Sequence, residues 1–151
     1  MQTLAKYKKR QDIELIKSFL CKDTSAFYAL ESVKEFPDSS FYPLIVKLLE
    51  KEKESGYYNY GSYREIFRAL TMYPTKETCS IFEQIIQTPD TFHCQHLEKE
   101  ILVAIALNPN KIFEPLKKEI KLPDDLMEDV LSEFLTFSPA KEEGHYPCKK
   151  E

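Results

Sequence analysis

Residues 66–85 read IFRALTMYPTKETCSIFEQI, two apolar segments that meet at Pro74. Apolar side chains lie four residues apart on each side of this proline, and they are Ile66, Leu70, Ile81 and Ile85. A spacing of four places the two members of each pair on one face of a helix. Proline cannot continue a helix interior, and it disfavours helical geometry in the residue before it. The stretch therefore predicts a helix, a proline-marked turn and a second helix.

Three more prolines close equivalent segments, so the pattern is a repeat. The four are Pro37, Pro74, Pro109 and Pro139, at intervals of 37, 35 and 30 residues. Apolar residues recur four positions before each proline, at Val33, Leu70, Ile105 and Leu135. They recur eleven positions after the first three, at Leu48, Ile85 and Ile120. A period of this size is typical of stacked helix pairs, which bury their apolar faces only against neighbouring pairs.

Two further positions support the same register. Eight residues before the prolines stand Ala29, Ile66, Ile101 and Leu131, which extend the apolar stripe of the first helix. Five residues before the first three stand Ser32, Ala69 and Ala104. Small side chains there allow two helices to approach closely, and Phe134 breaks this series in the last unit.

The repeat predicts where each helix lies. The first helices of the units are expected at 25–36, 62–73, 97–107 and 125–137. The second helices are expected at 40–53, 76–87 and 111–120, with an additional helix at 12–21 before the first unit. The domain boundaries that follow are an N-terminal arm at 1–11, a repeat domain at 12–139 and a polar tail at 140–151. The array begins and ends on half-units, which fits either natural capping or a piece of a longer protein.

This pattern resembles the HEAT-repeat family of α-solenoids, with armadillo-type arrays as close relatives. The resemblance implies an all-α fold, a right-handed α-α superhelix of about eight antiparallel helices. HEAT units often carry an aspartate at the turn within the unit and an arginine in the second helix. Asp38 fits that aspartate, Thr75 and Asn110 occupy the equivalent places, and there is no arginine column. A tetratricopeptide array has a similar period, but its Trp and Gly signature is missing.

Composition limits the class of function. The 151 residues carry a net charge of −4, with 42% hydrophobic and 30% charged residues. This balance disfavours a general nucleic-acid binder, because phosphate contact needs clustered Lys and Arg. Basic residues near the N-terminus are followed by no apolar run, and no stretch has the length of a membrane span. We therefore predict a cytoplasmic protein whose four scattered cysteines are reduced thiols.

The resemblance implies that the second helices line a concave face where ligands bind. Their polar residues have mixed charge, which fits either a solvated helix face or a protein-binding groove. From the first unit they are Lys47, Glu50 and Lys51, from the second Glu83, Gln84 and Gln87, and from the third Glu114, Lys117, Lys118 and Lys121. DNA-repair glycosylases built on HEAT-like repeats use basic and aromatic residues there, but this chain has no Trp and few aligned cations.

The connector between the first two units is rich in tyrosine. It reads ESGYYNYGSY over residues 54–63 and contains Tyr57, Tyr58, Tyr60 and Tyr63. Tyrosine supplies a large contact area at low entropy cost, with a polar tip for hydrogen bonding. The rings either pack back on helix ends or form a contact patch for a partner. We predict a partner site made of this patch and the neighbouring polar residues, namely Lys47, Glu50, Tyr57, Tyr58, Tyr60, Tyr63, Glu83, Gln84 and Gln87.

Catalytic and metal motifs are weak. His93, Cys94 and His96 lie at a helix start, and His145 and Cys148 lie in the tail, without the paired spacing of a structural zinc site. No nucleophile elbow, P-loop or dinucleotide fingerprint occurs. Asp124 and Asp125 are better interpreted as residues that complement a helix dipole. We therefore predict no catalytic residues, no metal and no cofactor.

These observations favour a non-catalytic protein–protein interaction module. In one version it is an adaptor or part of a larger scaffold. In the other it is a bacterial immunity protein that neutralises a basic toxin, since opposite charge speeds encounter. The rival class is an enzyme or a nucleic-acid-processing protein on a HEAT-like scaffold, and fold alone does not decide between them.

Overall fold

The computed structural model describes residues 10–22, 25–55, 60–88 and 96–137. This part of the chain forms eight α-helices and no strand, so the predicted all-α class is confirmed. The helices are α1 (Arg10–Leu20), α2 (Ala26–Glu35), α3 (Tyr42–Ser55), α4 (Tyr60–Leu70), α5 (Lys76–Gln87), α6 (Leu97–Leu107), α7 (Glu114–Glu119) and α8 (Asp124–Phe137). Short 3₁₀ turns at Ser39–Phe41 and Lys111–Phe113 lead into α3 and α7.

The helices form one continuous packed body. Helices α1, α2, α4, α6 and α8 contact one another in that order. Helix α3 contacts α1 and α4, and α5 contacts α6 and α7. Aromatic rings join α4, α5 and the turn before α7, with centroids 5.8 Å apart for Phe67 and Phe82 and 6.0 Å apart for Phe82 and Phe113. The buried core therefore runs through the helices from α1 to α7.

The positions four and five residues before Pro37, Pro74 and Pro109 are buried in the described part of the chain. Val33, Leu70 and Ile105 are fully buried, and the small residues Ser32, Ala69 and Ala104 are at most 1% exposed. These two positions behave as the sequence predicted.

The prediction of an apolar stripe packed in the core is wrong for Leu131 in the last unit. Ala29, Ile66 and Ile101, at the equivalent position, are fully buried, whereas Leu131 is 57% exposed. Helix α8 packs against α6, and Leu131 lies on the face of α8 that this contact leaves open.

The side chain of the residue after each of the first three prolines accepts a backbone N–H at the start of the next helix or 3₁₀ turn, two residues on for Asp38 and Asn110 and three for Thr75. The Asp38 carboxylate accepts the backbone N–H of Ser40 at 2.9 Å, and the Thr75 hydroxyl accepts that of Thr78 at 3.3 Å. The Asn110 amide oxygen accepts the backbone N–H of Ile112 at 3.1 Å. Each bond satisfies one of the donors that a helix start leaves unpaired. Three different side chains therefore perform one task at one repeat position.

The residue before the proline ties consecutive units together. The Tyr73 hydroxyl donates to the backbone carbonyl of Asp38 at 2.8 Å, and the Asn108 amide donates to that of Thr71 at 2.8 Å. Both bonds reach back to the turn of the preceding unit, which fixes the spacing between neighbouring turns.

Candidate functional site

The polar residues predicted to contact a partner lie on α3 and α5. Lys47, Glu50, Gln84 and Gln87 are exposed, and Glu83 is half-buried. Their side chains are therefore accessible from solvent, as a binding surface requires.

Of the four tyrosines predicted to contact a partner, only Tyr63 has a side chain in the described part of the structure. Tyr63 is fully buried on α4, with its ring 5.9 Å from that of Phe67. A buried ring is not available to a partner in the folded chain, so we remove Tyr63 from the candidate site. Tyr57 and Tyr58 lie outside the described residues. Tyr60 is the first residue of α4, and its side chain is outside the described part.

An apolar groove lies where α1 meets α3. It has a volume of about 110 Å³, and it is lined by Leu20, Cys21, Leu44, Lys47, Leu48 and Lys51. A second depression of about 260 Å³ shares two of these residues and is lined by Phe27, Leu48, Lys51, Glu52 and Ser55. The two depressions form one strip along α3, which we call the α3 groove.

The α3 groove combines an apolar floor with a cationic rim. Leu20 and Leu48 are largely buried at its base, while Lys47 and Lys51 are exposed one helical turn apart. Lys47 forms no ion pair with any described residue. Burial raises the pKa of Glu52 at the far end of the groove. Such a surface can bury an apolar side chain and pair with an anionic one.

Sequence reasoning did not find this groove. The repeat position of Leu48 predicts burial in the core, but it gives no indication that the half-buried Leu44 and the exposed lysines open a groove beside it. The available signal was Lys47 and Lys51, which follow Leu44 and Leu48 by three residues each and so place lysines beside leucines along α3.

Two ion-pair clusters connect the first helices of neighbouring units. The Arg64 guanidinium on α4 donates twice to the Glu100 carboxylate on α6, from Nε to Oε2 at 2.9 Å and from Nη2 to Oε1 at 3.0 Å. Glu100 is only 3% exposed, so the pair is largely withdrawn from water on the carboxylate side.

The second cluster joins α2 to α4. Lys34 Nζ contacts Glu31 Oε1 at 2.6 Å and Glu65 Oε2 at 2.9 Å. Burial and the neighbouring Glu65 carboxyl raise the pKa of Glu31. Burial opposes ionisation of Glu65, but hydrogen bonds from Glu31 and Lys34 outweigh it and lower the pKa of Glu65. Both clusters stabilise contacts between helices and lie apart from the residues that line the α3 groove.

No metal centre is assembled in the described ranges, where no three His, Cys, Asp or Glu side chains come together. His93, Cys94, His145 and Cys148 lie outside these ranges. His96 precedes α6 in the left-handed conformation, with φ 59°, and its Nδ1 lies 3.4 Å from Glu98 Oε1. Asp124 and Asp125 occupy the first turn of α8, where carboxylates complement the helix dipole.

A membrane-spanning helix is not found within the described ranges, where the helices are too short or too polar for that role. The chain was compared with protein-family models, with curated proteins and with solved structures, and none of the three comparisons gives a match.

Proposed function

We propose that this chain is a protein–protein interaction module built as a HEAT-like superhelix. The observation that carries the proposal is the α3 groove, because its leucine floor and lysine rim suit a docked polypeptide better than a reacting substrate. Lys47, Glu50, Gln84 and Gln87 are exposed and Glu83 is half-buried, so α3 and α5 both present polar side chains to solvent.

The repeat geometry supports the superhelical part of the proposal. Equivalent positions are buried in successive units, and at the equivalent turns a side-chain oxygen accepts a backbone N–H two or three residues further on. Arrays of this kind create extended binding surfaces because each unit contacts mainly its neighbours and leaves one side of its helices free.

Site-specific crosslinking in the native host tests the function. A photo-crosslinking residue replaces Gln84 on α5, and the matched control replaces Glu35, which is exposed on α2. We expect a defined adduct with a single protein at position 84 and none at position 35. Equal labelling at the two positions, or no adduct at position 84, would contradict a docking surface on the second helices.

A further inference from the structure

The exposed face of α8 is acidic, whereas the rim of the α3 groove is cationic. Asp124, Asp125, Glu128 and Asp129 are exposed on this helix. Leu131 is 57% exposed and stands three residues after Glu128 and seven after Asp124, so the three share one helix face. The face therefore presents one apolar side chain with two carboxylates beside it.

The charged side chains on α8 and on α3 have the same spacing. Asp124 and Glu128 are four residues apart on α8, and Lys47 and Lys51 are four residues apart on α3. At 1.5 Å per residue, each pair is separated by about 6 Å along its helix. The two carboxylates of α8 can thus lie along the cationic rim while Leu131 enters the leucine floor of the groove.

The two surfaces lie at opposite ends of the row of contacting helices. The groove is formed where α1 meets α3, and α8 is the last helix to join the row through α6. One chain that keeps this packing cannot place its own α8 in its own groove. A second copy can do so.

We infer that α8 of one copy docks in the α3 groove of another, so that this chain associates head to tail. The inference rests on the proposed function because it takes the groove to be a docking site for a polypeptide, and it names the occupant. A head-to-tail contact uses different surfaces on the two copies and leaves a free groove and a free α8 at the ends. Association therefore continues with concentration instead of stopping at a dimer.

The contact is small and charged, which sets how it responds to conditions. The floor and rim of the groove extend along α3 from Leu44 to Ser55, about 16 Å at 1.5 Å per residue. A surface of this size belongs to the weak class of interfaces, and its exposed charge pairs are screened by salt. We expect an average mass that rises with protein concentration and returns to that of the monomer, 17.7 kDa, in about 1 M salt.

The test uses two blocked variants of the full chain. Lys47→Glu with Lys51→Glu reverses the rim of the groove, and Leu131→Asp removes the apolar side chain of α8. Each variant alone should remain a monomer in sedimentation equilibrium. Mixed together, they retain one intact groove and one intact α8, so they should form a 1:1 pair of about 35 kDa, twice the mass of 17.7 kDa.

Matched controls separate the docking effect from general charge or misfolding. Lys76→Glu with Lys118→Glu makes the same charge change at two exposed lysines outside the groove and should associate like the unchanged chain. Lys47→Ala with Lys51→Ala removes the cations without adding carboxylates and should weaken association. Circular dichroism checks that every variant keeps its helical content.

Three outcomes overturn the inference. The first is an unchanged chain that stays at 17.7 kDa at the highest concentration reached in low salt. The second is association that persists in either blocked variant. The third is a mixture of the blocked variants that remains monomeric. If any of these occurs while crosslinking at position 84 still captures a different protein, the self-association falls and the proposed function stands.

Discussion

The Tyr73 hydroxyl donates to the backbone carbonyl of Asp38 at 2.8 Å, across 35 residues of sequence. The same Tyr73 ring packs on Tyr42, with centroids 5.2 Å apart. One side chain thus joins the turns of two consecutive units and fixes their distance. A bond of this kind predicts a measurable contribution to stability.

Tyr73→Phe should lower the free energy of unfolding by about 0.5–1.5 kcal/mol, the usual net value of one hydrogen bond. Denaturant melts at neutral pH measure the change. Tyr28→Phe is the control, because Tyr28 is 74% exposed. A loss as small as that of the control would mean that the bond to Asp38 contributes nothing.

Alkaline pH provides a second measurement on Tyr73. Burial, assisted by the charge of Asp38, raises the pKa of Tyr73 above its usual 10. A raised pKa in the folded state gives stability that is complete below the unfolded value and is lost as the pH rises above it. The unchanged chain should therefore lose stability above about pH 10 more steeply than Tyr73→Phe does. Parallel pH profiles of the two proteins would contradict the assignment.

Arg64→Met should destabilise the chain by about 3–5 kcal/mol, because it leaves the buried Glu100 carboxylate without its bidentate partner. Adding Glu100→Gln to Arg64→Met removes that isolated charge and should recover part of the loss. Lys17→Met breaks the exposed pair with Glu14 and should cost less than about 1 kcal/mol. Equal losses in the two single variants would show that burial of Glu100 does not govern the pair.

Ser32→Ala should leave stability unchanged or raise it. The Ser32 hydroxyl is buried without a hydrogen-bond partner in the described part of the chain, and a buried donor without a partner is costly. The equivalent positions hold Ala69 and Ala104, so alanine fits this site. The reverse change, Ala69→Ser, should destabilise. Thermal melts of the two variants should move in opposite directions, and a loss in Ser32→Ala would indicate a bond to the hydroxyl.

Cys21 should react with a thiol reagent faster than Cys79 in a background where Cys94 and Cys148 are serine. Cys21 is exposed in the α3 groove, whereas burial and the charge of Glu83 raise the pKa of Cys79. The thiolate is the reactive form, so a raised pKa slows labelling. Mass spectrometry after brief labelling at neutral pH measures both rates, and similar rates in folded protein would place Cys79 at the surface.

The order and the bounds of the helices follow closely from the sequence. The prolines and apolar spacings predict α5 and α6 at their observed bounds, 76–87 and 97–107. Helix α4 begins at Tyr60 instead of the predicted 62, because the glycine-bearing connector gives no strong start signal. Tyr63 then continues the buried stripe of Ile66, Phe67 and Leu70. That three- and four-residue spacing was present in the sequence.

The candidate site was less predictable, because it depends on contacts between distant segments. The α3 groove exists only where α1 packs on α3, and repeat positions within one unit say nothing of that contact. The ion pairs between helices also depend on contacts between distant segments. Glu65 and Glu100 occupy equivalent positions nine residues before their prolines, yet their partners Lys34 and Arg64 do not. The periodic pattern therefore predicts the buried positions before the first three prolines, but not which charges meet.

The three turns that begin with Asp38, Thr75 and Asn110 have a consequence for how such chains are compared. What the units share at this position is an oxygen that accepts a backbone N–H, not a residue type. An alignment scored on residue identity counts the three as mismatches, although each accepts a backbone N–H at the start of the next element. Scoring each position by whether it offers a short hydrogen-bond acceptor would align these units where identity does not.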